Sequence, residues 1–293
     1  MNGIINIYKE KGFISHDVVN ILRKIFRTKK IGHTGTLDPD ATGVLPICIG
    51  NATRVAEYLT EKDKAYIAKM AFGKSTDTQD ASGEIIEVSS LPLMSEKEFK
   101  EVCDEFIGKQ SQVPPMYSAI KYKGKPLYKY AREGIVITDL PCREIEIYDI
   151  KVLHFSPYEA EIKILCSKGT YIRTLCVDIA RRIGVCAHLT DLERVQSGVF
   201  KVEDSIPLSI LNISDNPSDY LISLEDSLID IDSVDVSLKD FQKIQHGQSI
   251  KVNIAQDLMP VVAKFQNKIV SIGKVERSFF KPRKVFSENE QNI

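Results

Sequence analysis

The stretch GHTGTLDPDATGVLP, residues 32–46, gathers three glycines, three threonines, two aspartates and two prolines into fifteen positions. Asp38 lies inside it, between Leu37 and Pro39. One chemistry these residues could serve is a phosphate cradle, and the letters test it. A Walker loop needs a lysine and a hydroxyl after its last glycine, so that side chains reach phosphates and magnesium. Here Gly43 is followed by Val44 and Leu45. The G-x-G-x-x-G spacing that brings a helix N-terminus to a pyrophosphate is absent as well. A well-formed turn accounts for the composition equally, since Asp and Thr bond to nearby backbone, Gly supplies positive φ and Pro fixes φ.

Other chemistry-bearing residues are more scattered. The six cysteines, Cys48, Cys103, Cys142, Cys166, Cys176 and Cys186, form no C-x-x-C pair, and the five histidines lie far apart. Spacing therefore gives no metal site, and the cysteines read as small buried apolar residues in a reducing compartment. KYKGKPLYKYAR, residues 121–132, interleaves five basic groups with Tyr122, Tyr128 and Tyr130. Basic groups meet phosphates and aromatic rings stack on bases, so this stretch suits a structured RNA loop, although a solvated loop has the same composition.

The chain has 293 residues, 43% of them hydrophobic and 27% charged, enough for one large domain and a small one around real cores. No apolar run reaches about 18 residues, and the N-terminus has no basic start followed by a long apolar stretch; a cytoplasmic protein that avoids the membrane is expected. The net charge of −1 hides segregation. Residues 1–200 carry 28 basic and 26 acidic groups, residues 201–240 carry 2 and 10, and residues 241–293 carry 9 and 4. An acidic segment thus separates two mildly basic parts and marks a boundary near residue 230.

The elements that must position these residues follow from periodicity. SHDVVNILRKIFRTKK reads as an amphipathic helix with Ser15 as its N-cap and Arg23, Lys24 and Arg27 on its outer face. KAYIAKMAFG and GEIIEV alternate like strands, with TDTQDASG as a turn-rich connection. SEKEFKEVCDEFIGK opens with a capping box, Ser95 to Glu98, and closes at Gly108. REIEIYDIKVLHF and AEIKILC are two further strands, and SKGTYIRTLCVDIARRIG turns into a helix ending at Gly184. Strands and helices mix without βαβ alternation, so an α+β fold with a mixed, largely antiparallel sheet flanked by helices is expected. SIKVNI, PVVAKF and KIVSIGKVE would build a small C-terminal β domain.

Three stretches taken together resemble, in order and spacing, the bacterial TruB-type tRNA pseudouridine synthases: GHTGTLDPDATGVLP, KAYIAKMAFG with TDTQDASG, and CSKGTYIRTL with AHLTDLERVQSGVF. VPPMYSAIKYKGKPLYKYAREG extends the resemblance, and GKVERSFFKPRKVF is similar to the end of that family's small PUA-like domain. The resemblance implies a catalytic domain over residues 1–230, with an RNA-contacting insertion near 121–145, and a PUA-like RNA-binding domain over 231–293. It implies isomerisation of uridine 55 in the T-arm loop of tRNA to pseudouridine, with no metal or other cofactor, by a monomer that needs no protein partner.

Residue roles follow from the same resemblance. Asp38 would be the nucleophile, attacking C1′ of the ribose or C6 of the base, and its proline and glycine neighbours would spare it a search for position. Arg173 would pair with Asp38 and hold it ionised. Tyr66 would pack against the target base and move a proton, Tyr171 and Leu192 would line the base pocket, and His33 would hold the RNA open once the base has flipped. Lys121 and Lys123, in the insertion, would meet phosphate. Where the family commonly has two arginines, this chain has Glu193 and Arg194, so one phosphate contact is expected to be missing. The presence of Asp38, Tyr66 and Arg173 together favours an enzyme over an RNA-folding factor that only binds.

Overall fold

The computed structural model describes residues 2–137 and 139–286. In chain order, β1 (Gly3–Lys9), α1 (Ser15–Ile25), β2 (Ile31–His33), β3 (Thr42–Ile49) and α2 (Ala56–Thr60) come first. There follow β4 (Lys64–Phe72), β5 (Lys74–Thr76), β6 (Ile85–Val88), α3 (Glu96–Asp104), β7 (Gly108–Gln112), β8 (Lys121–Tyr122), β9 (Lys125–Pro126) and α4 (Leu127–Arg132). The long strands β10 (Arg143–Phe155) and β11 (Glu159–Cys166) lead to α5 (Ile172–Ile183) and β12 (Ala187–Ser197). The last part contains β13 (Phe200–Lys201), β14 (Ile206–Pro207), α6 (Leu208–Ile213), α7 (Leu224–Ser227), β15 (Ser233–Asp235), α8 (Leu238–Gln245), β16 (Ile250–Lys251), β17 (Leu258–Phe265), β18 (Lys268–Glu276) and β19 (Phe279–Val285). Two compact units result: one holds the chain up to Pro39, Gly43–Glu61 and the chain from Ser197 onward, the other Asp40–Thr42 and Lys62–Gln196.

In the second unit the strand order is β12-β4-β11-β10-β7, and the pairs β4–β11, β11–β10 and β10–β7 are antiparallel. The alternation expected for KAYIAKMAFG, REIEIYDIKVLHF and AEIKILC is realised as β4, β10 and β11. Helices α3 and α5 pack on β10 and β4. Phe99 of α3 joins them, its ring stacked at 4.7 Å on Phe155 and edge-on at 6.0 Å to Phe72. The capping box of α3 forms, with Ser95 N–H donating to Glu98 Oε2 at 2.7 Å and Glu98 N–H donating to Ser95 Oγ at 3.3 Å. That helix stops at Asp104 rather than Gly108, because the chain from Gly108 is taken up as a sheet strand beside β10. Gly184 ends α5 in the left-handed conformation at φ +85°, where a Cβ would be strained.

In the first unit β1 runs parallel to β14 and antiparallel to β3, and β2 pairs antiparallel with β3. Strand β1 is buried along nearly all its length, as befits an inner strand between β14 and β3. The C-terminal strands form a separate five-stranded sheet in the order β15-β17-β18-β19-β16, with only β15–β17 parallel. This sheet shares a core with the start of the chain. Val262, Ile269, Ile272 and Phe286 cluster with Ile4, Val44, Cys48, Ala52, Val55 and Leu59. On β17 the neighbours of Val262, Val261 and Ala263, point instead into a second cluster with Phe241, Ile244, Val270 and Phe280. Arg54 reinforces the shared core by donating from Nη1 to the Val285 carbonyl at 2.7 Å while its guanidinium lies 5.2 Å from the Phe286 ring centre.

Two further sites depart from what local sequence suggests. Ser15 is the first residue of α1 rather than its N-cap; Ile14 occupies the cap, and its N–H donates to Asp17 Oδ2 at 3.4 Å. The Ser15 hydroxyl is drawn away by a buried backbone partner described below. Of the cysteines, Cys142 is exposed and the other five are buried. Burial pushes the thiols of Cys48, Cys103, Cys166 and Cys176 up to about 12, so these four stay protonated and unreactive.

Gly273 shows how tightly the C-terminal sheet is built. A Cβ there would overlap the Lys281 carbonyl on β19 and approach the Pro282 Cα to 3.0 Å. Gly273→Ala is expected to lower stability by about 2 kcal/mol or more, since backbone rather than a flexible side chain must move. A thermal melt of the intact protein checks this.

Candidate active site

In the first unit, the loop between β2 and β3 carries Asp38, and its backbone is fixed on both sides of that residue. Before it, the buried Leu37 peptide is held by Ser15, whose hydroxyl accepts from Leu37 N–H at 2.9 Å and donates to the Leu37 carbonyl at 3.1 Å. After it, the Pro39 carbonyl accepts from Gly12 N–H at 2.9 Å and from the Lys9 ammonium at 2.9 Å. Lys9 is fully buried, and its ammonium also donates to the carbonyls of Phe13 (2.7 Å) and Glu10 (3.1 Å). Thr34 N–H closes the start of the loop on the Pro46 carbonyl at 3.1 Å. Asp38 is thereby half-buried on a backbone clamped one residue to either side. His33, also half-buried, ends β2 opposite Ile47 of β3.

The second unit contains the other residues expected from the sequence. Arg173 lies in the first turn of α5 and is only 5% exposed, which excludes a surface role. Its Nη1 donates to the Thr78 carbonyl at 2.9 Å and its Nη2 to the Tyr117 carbonyl at 2.9 Å. The Asp80 carboxylate lies 3.5 Å from Nη1. Tyr171, the N-cap residue of α5, has its backbone gripped by the Gln112 amide, which accepts from its N–H at 2.8 Å and donates to its carbonyl at 3.1 Å. Tyr66 is half-buried on β4, opposite Ile164 of β11. Leu192 is buried on the adjacent strand β12, its carbonyl accepting from Thr42 Oγ1 at 3.5 Å.

The segment TDTQDASG proves to be more than a connection. Asp80 Oδ1 accepts from Thr78 Oγ1 at 2.7 Å and from both the backbone and the hydroxyl of Ser82. Thr76 Oγ1 donates to the Asp80 carbonyl at 2.6 Å. A Cβ on Gly83 would come within 2.9 Å of Thr78 N, so the turn closes only around glycine. This knot presents Thr78 and Asp80 to Arg173. The density of Thr, Asp and Ser before a glycine was the available signal, but it marks a tight turn without revealing the arginine it serves.

Lys121 and Lys123 are exposed on a β8–β9 hairpin whose turn residues, Lys123 and Gly124, have φ of +47° and +85°. Both positive values match the twist of a two-residue hairpin. Tyrosines and cations stack beneath it: Tyr122 meets Tyr130 edge-on at 6.2 Å, Lys125 lies 4.6 Å above Tyr130 and Arg132 5.5 Å above Tyr128. The basic stretch is therefore an ordered hairpin and helix rather than a formless loop. Deeper in the unit, burial and the neighbouring Arg194, itself only 2% exposed, push the Lys64 ammonium down to about 8. Among the described residues, no group of three or more His, Cys, Asp or Glu could hold a metal ion, and no helix is long and apolar enough to cross a membrane.

Solved structures with this fold include the matching chain of an H/ACA ribonucleoprotein bound to a substrate RNA containing 2′-deoxyuridine (TM-score 0.74, 24% identity, 99% of this chain and 87% of that chain). A chain of a Cbf5-Nop10-Gar1 complex matches with TM-score 0.75 at 24% identity and the same coverage. Both chains share the fold described above. Residues 23–172 match the TruB family pseudouridylate synthase N-terminal domain, and residues 173–221 match the tRNA pseudouridylate synthase B C-terminal domain. The chain belongs to the TruB family of pseudouridylate synthases. Relatives named tRNA pseudouridine synthase B include one from Listeria innocua, 42% identical over 97% of this chain and 98% of that protein. Another, from Streptococcus thermophilus, is 40% identical over 98% of this chain and 100% of that protein.

The clamp on the Asp38 loop is testable directly. Lys9→Met removes the ammonium, leaving the Glu10 and Phe13 carbonyls without that donor and the Pro39 carbonyl with the Gly12 N–H alone, at a cost of about 1–3 kcal/mol. Pseudouridine formation under saturating RNA is expected to slow by about tenfold, because the loop then keeps only the Gly12 N–H as its tie at Pro39. A melt and a single-turnover assay on one preparation measure both.

Proposed function

We propose that this chain converts uridine 55 in the T-arm loop of tRNA to pseudouridine, with Asp38 as the nucleophile. The observation that carries the reading is the fixed backbone on either side of Asp38, in a chain similar over nearly its full length to tRNA pseudouridine synthases B. The reaction breaks the C1′–N1 bond of the nucleoside, turns the base and forms a C1′–C5 bond; the proton lost from C5 is balanced by one gained at N1. Nothing is oxidised or reduced, so no redox cofactor is required. The carboxylate attacks C1′ or C6 and divides the exchange into two easier steps. Arg173 holds it ionised through a charge-assisted contact, and Tyr66 packs on the base and assists proton movement. His33 supports the RNA after flipping, while Tyr171 and Leu192 line the pocket that receives the base.

In this reading residues 1–230 do the chemistry and residues 231–293 act as a PUA-like RNA-binding domain. Lys121 and Lys123 meet T-arm phosphates from the tip of their hairpin. The protein works as a monomer in the cytoplasm without a protein partner. A transcript carrying tritium at C5 of its uridines tests the substrate: release is expected from the unmodified tRNA and is lost when nucleotide 55 is changed to cytidine. Release that persists from the changed transcript overturns the choice of position.

Asp38→Asn preserves shape but not nucleophilicity, so it is expected to bind tRNA within about threefold of wild type while product formation falls at least about a thousandfold. Parallel titration and product assays decide, and turnover near the wild-type rate removes Asp38 from the role. Changing Lys121 and Lys123 together to alanine is expected to weaken tRNA binding and to flatten its log–log salt dependence by about 0.7–0.9 per lost phosphate contact. Titrations at several salt concentrations measure the slope; an unchanged slope means that the hairpin touches no phosphate.

A further inference from the structure

Arg173 takes its acceptors from two separate pieces of chain. Thr78 and Asp80 come from the turn after β5, whereas the Tyr117 carbonyl comes from the segment leading into the β8–β9 hairpin. A guanidinium is planar, so its direction is set only when the acceptors on both terminal nitrogens keep their relative positions. One side-chain contact ties the two pieces together: the Tyr117 hydroxyl donates to Asp77 Oδ2 at 3.1 Å, and Asp77 Oδ1 accepts from Glu84 N–H at 2.9 Å, so the tie reaches both ends of the turn.

Tyr117 is also joined to the hairpin and its helix through the very next peptide. The Ser118 carbonyl accepts from Tyr128 N–H at 3.0 Å, and the Ile120 carbonyl accepts from Leu127 N–H at 2.8 Å, in the first turn of α4. Ser118 is 5% exposed and Leu127 fully buried, whereas Lys121 and Lys123 at the tip are exposed. The joint is therefore packed and the tip is open. Five residues before Tyr117, Gln112 grips the backbone of Tyr171 at the start of the same helix that carries Arg173. A shift of α4 moves peptide 118, then peptide 117, and with it the acceptor that meets the Arg173 Nη2.

We propose that Tyr117 is a positioning residue that couples the seating of the 118–132 hairpin and helix on RNA to the orientation of the Arg173 guanidinium. The inference rests on the reading that Arg173 serves the reaction and that the hairpin touches the substrate. RNA held by the hairpin fixes peptide 118, the Tyr117–Asp77 bond passes that constraint to the Asp80 turn, and the guanidinium is then held from both sides. Without the hydroxyl the two acceptor segments drift independently, and a misplacement on the order of 1 Å costs about a hundredfold in rate.

Tyr117→Phe removes only the hydroxyl of a half-exposed residue and leaves the backbone carbonyl. With an unmodified tRNA transcript, the single-turnover rate at saturating RNA is expected to fall about ten- to a hundredfold, while the dissociation constant stays within about twofold. The same change made on an Arg173→Lys background is expected to cost less than about threefold, because the group through which Tyr117 acts is already impaired. An unchanged rate, an equal loss in both backgrounds, or a loss appearing only as weaker binding overturns the proposal. Asp38→Asn assayed beside it separates the two readings: if that variant is active, the proposed function fails, and if it is inactive while Tyr117→Phe behaves as wild type, only the coupling fails. A melt of Tyr117→Phe within a few degrees of wild type is expected, and a much lower one, with the loss of rate restored on cooling, assigns Tyr117 to structure alone.

Discussion

A buried ammonium sets the position of the loop on which the proposed chemistry depends. Lys9 has no exposed surface, and a charge in that situation costs several kcal/mol unless its donors are met. Its protons go to the carbonyls of Glu10, Phe13 and Pro39. Two of these belong to the turn after β1, and the third lies one residue beyond Asp38. An apolar side chain of similar length would fill the space, but it could not satisfy three carbonyls arriving from two directions. The lysine therefore welds the end of an inner strand to the Asp38 loop, and Ser15 completes the weld by taking both polar groups of the Leu37 peptide. A carboxylate on a mobile loop would lose rate to conformational search if it were to react; here the backbone on both sides of Asp38 is fixed by hydrogen bonds to its neighbours.

Arg173 is held by the same device with the charges arranged differently. Both terminal nitrogens reach backbone carbonyls, and Asp80 supplies the nearby negative charge. Asp80 does not depend on the arginine for its own satisfaction, because Thr78 and Ser82 already bond to its other oxygen. An acid fixed in this way sets a direction for the guanidinium instead of following it. A lysine could not reproduce this arrangement, since a point charge with rotating donors gives no planar fork to hold contacts to two carbonyls at once.

Much of this organisation was legible in the residues. Strands β4, β10 and β11 alternate in sequence as they do in the sheet, and Gly184 and the Ser95–Glu98 pair mark helix ends by local chemistry alone. What could not be read depends on partners far away in the chain. Ser15 has every mark of an N-cap, yet its hydroxyl is taken by a peptide 22 residues later, and Asp17 serves the helix end in its place. Lys9 looks like an ordinary charged end to a strand until Pro39, 30 residues on, is folded against it. TDTQDASG announces a turn, but its purpose requires Arg173, about a hundred residues downstream. The C-terminal strands could be seen individually; that they bury Val262 and Phe286 against Ile4 and Val55 could not, because an apolar residue carries no record of which apolar surface it meets.

The distribution of rigidity bears on how a nearly neutral protein can act on a polyanion. With a net charge of −1, long-range attraction to RNA cannot come from the chain as a whole. It must come from local groups, and the hairpin around Lys121 and Lys123 displays such groups on an ordered base of edge-on tyrosines and lysine–ring contacts. Exposed lysines cost little to present and adapt to phosphates in many positions, whereas Lys9, Lys64, Arg173 and Arg194 are buried cations whose burial is tolerable only in defined surroundings. Under the proposed function the two sets would divide the work: the exposed one tolerates variation in a partner, and the buried one tolerates none in its own geometry. A device joining them has to be stiff and short. The proposed link from Ser118 through Tyr117 to the Arg173 guanidinium has both properties, since it consists of two adjacent peptides, a hydrogen bond of 2.9 Å to the guanidinium and the 3.1 Å bond by which the Tyr117 hydroxyl holds the Asp77 turn in register.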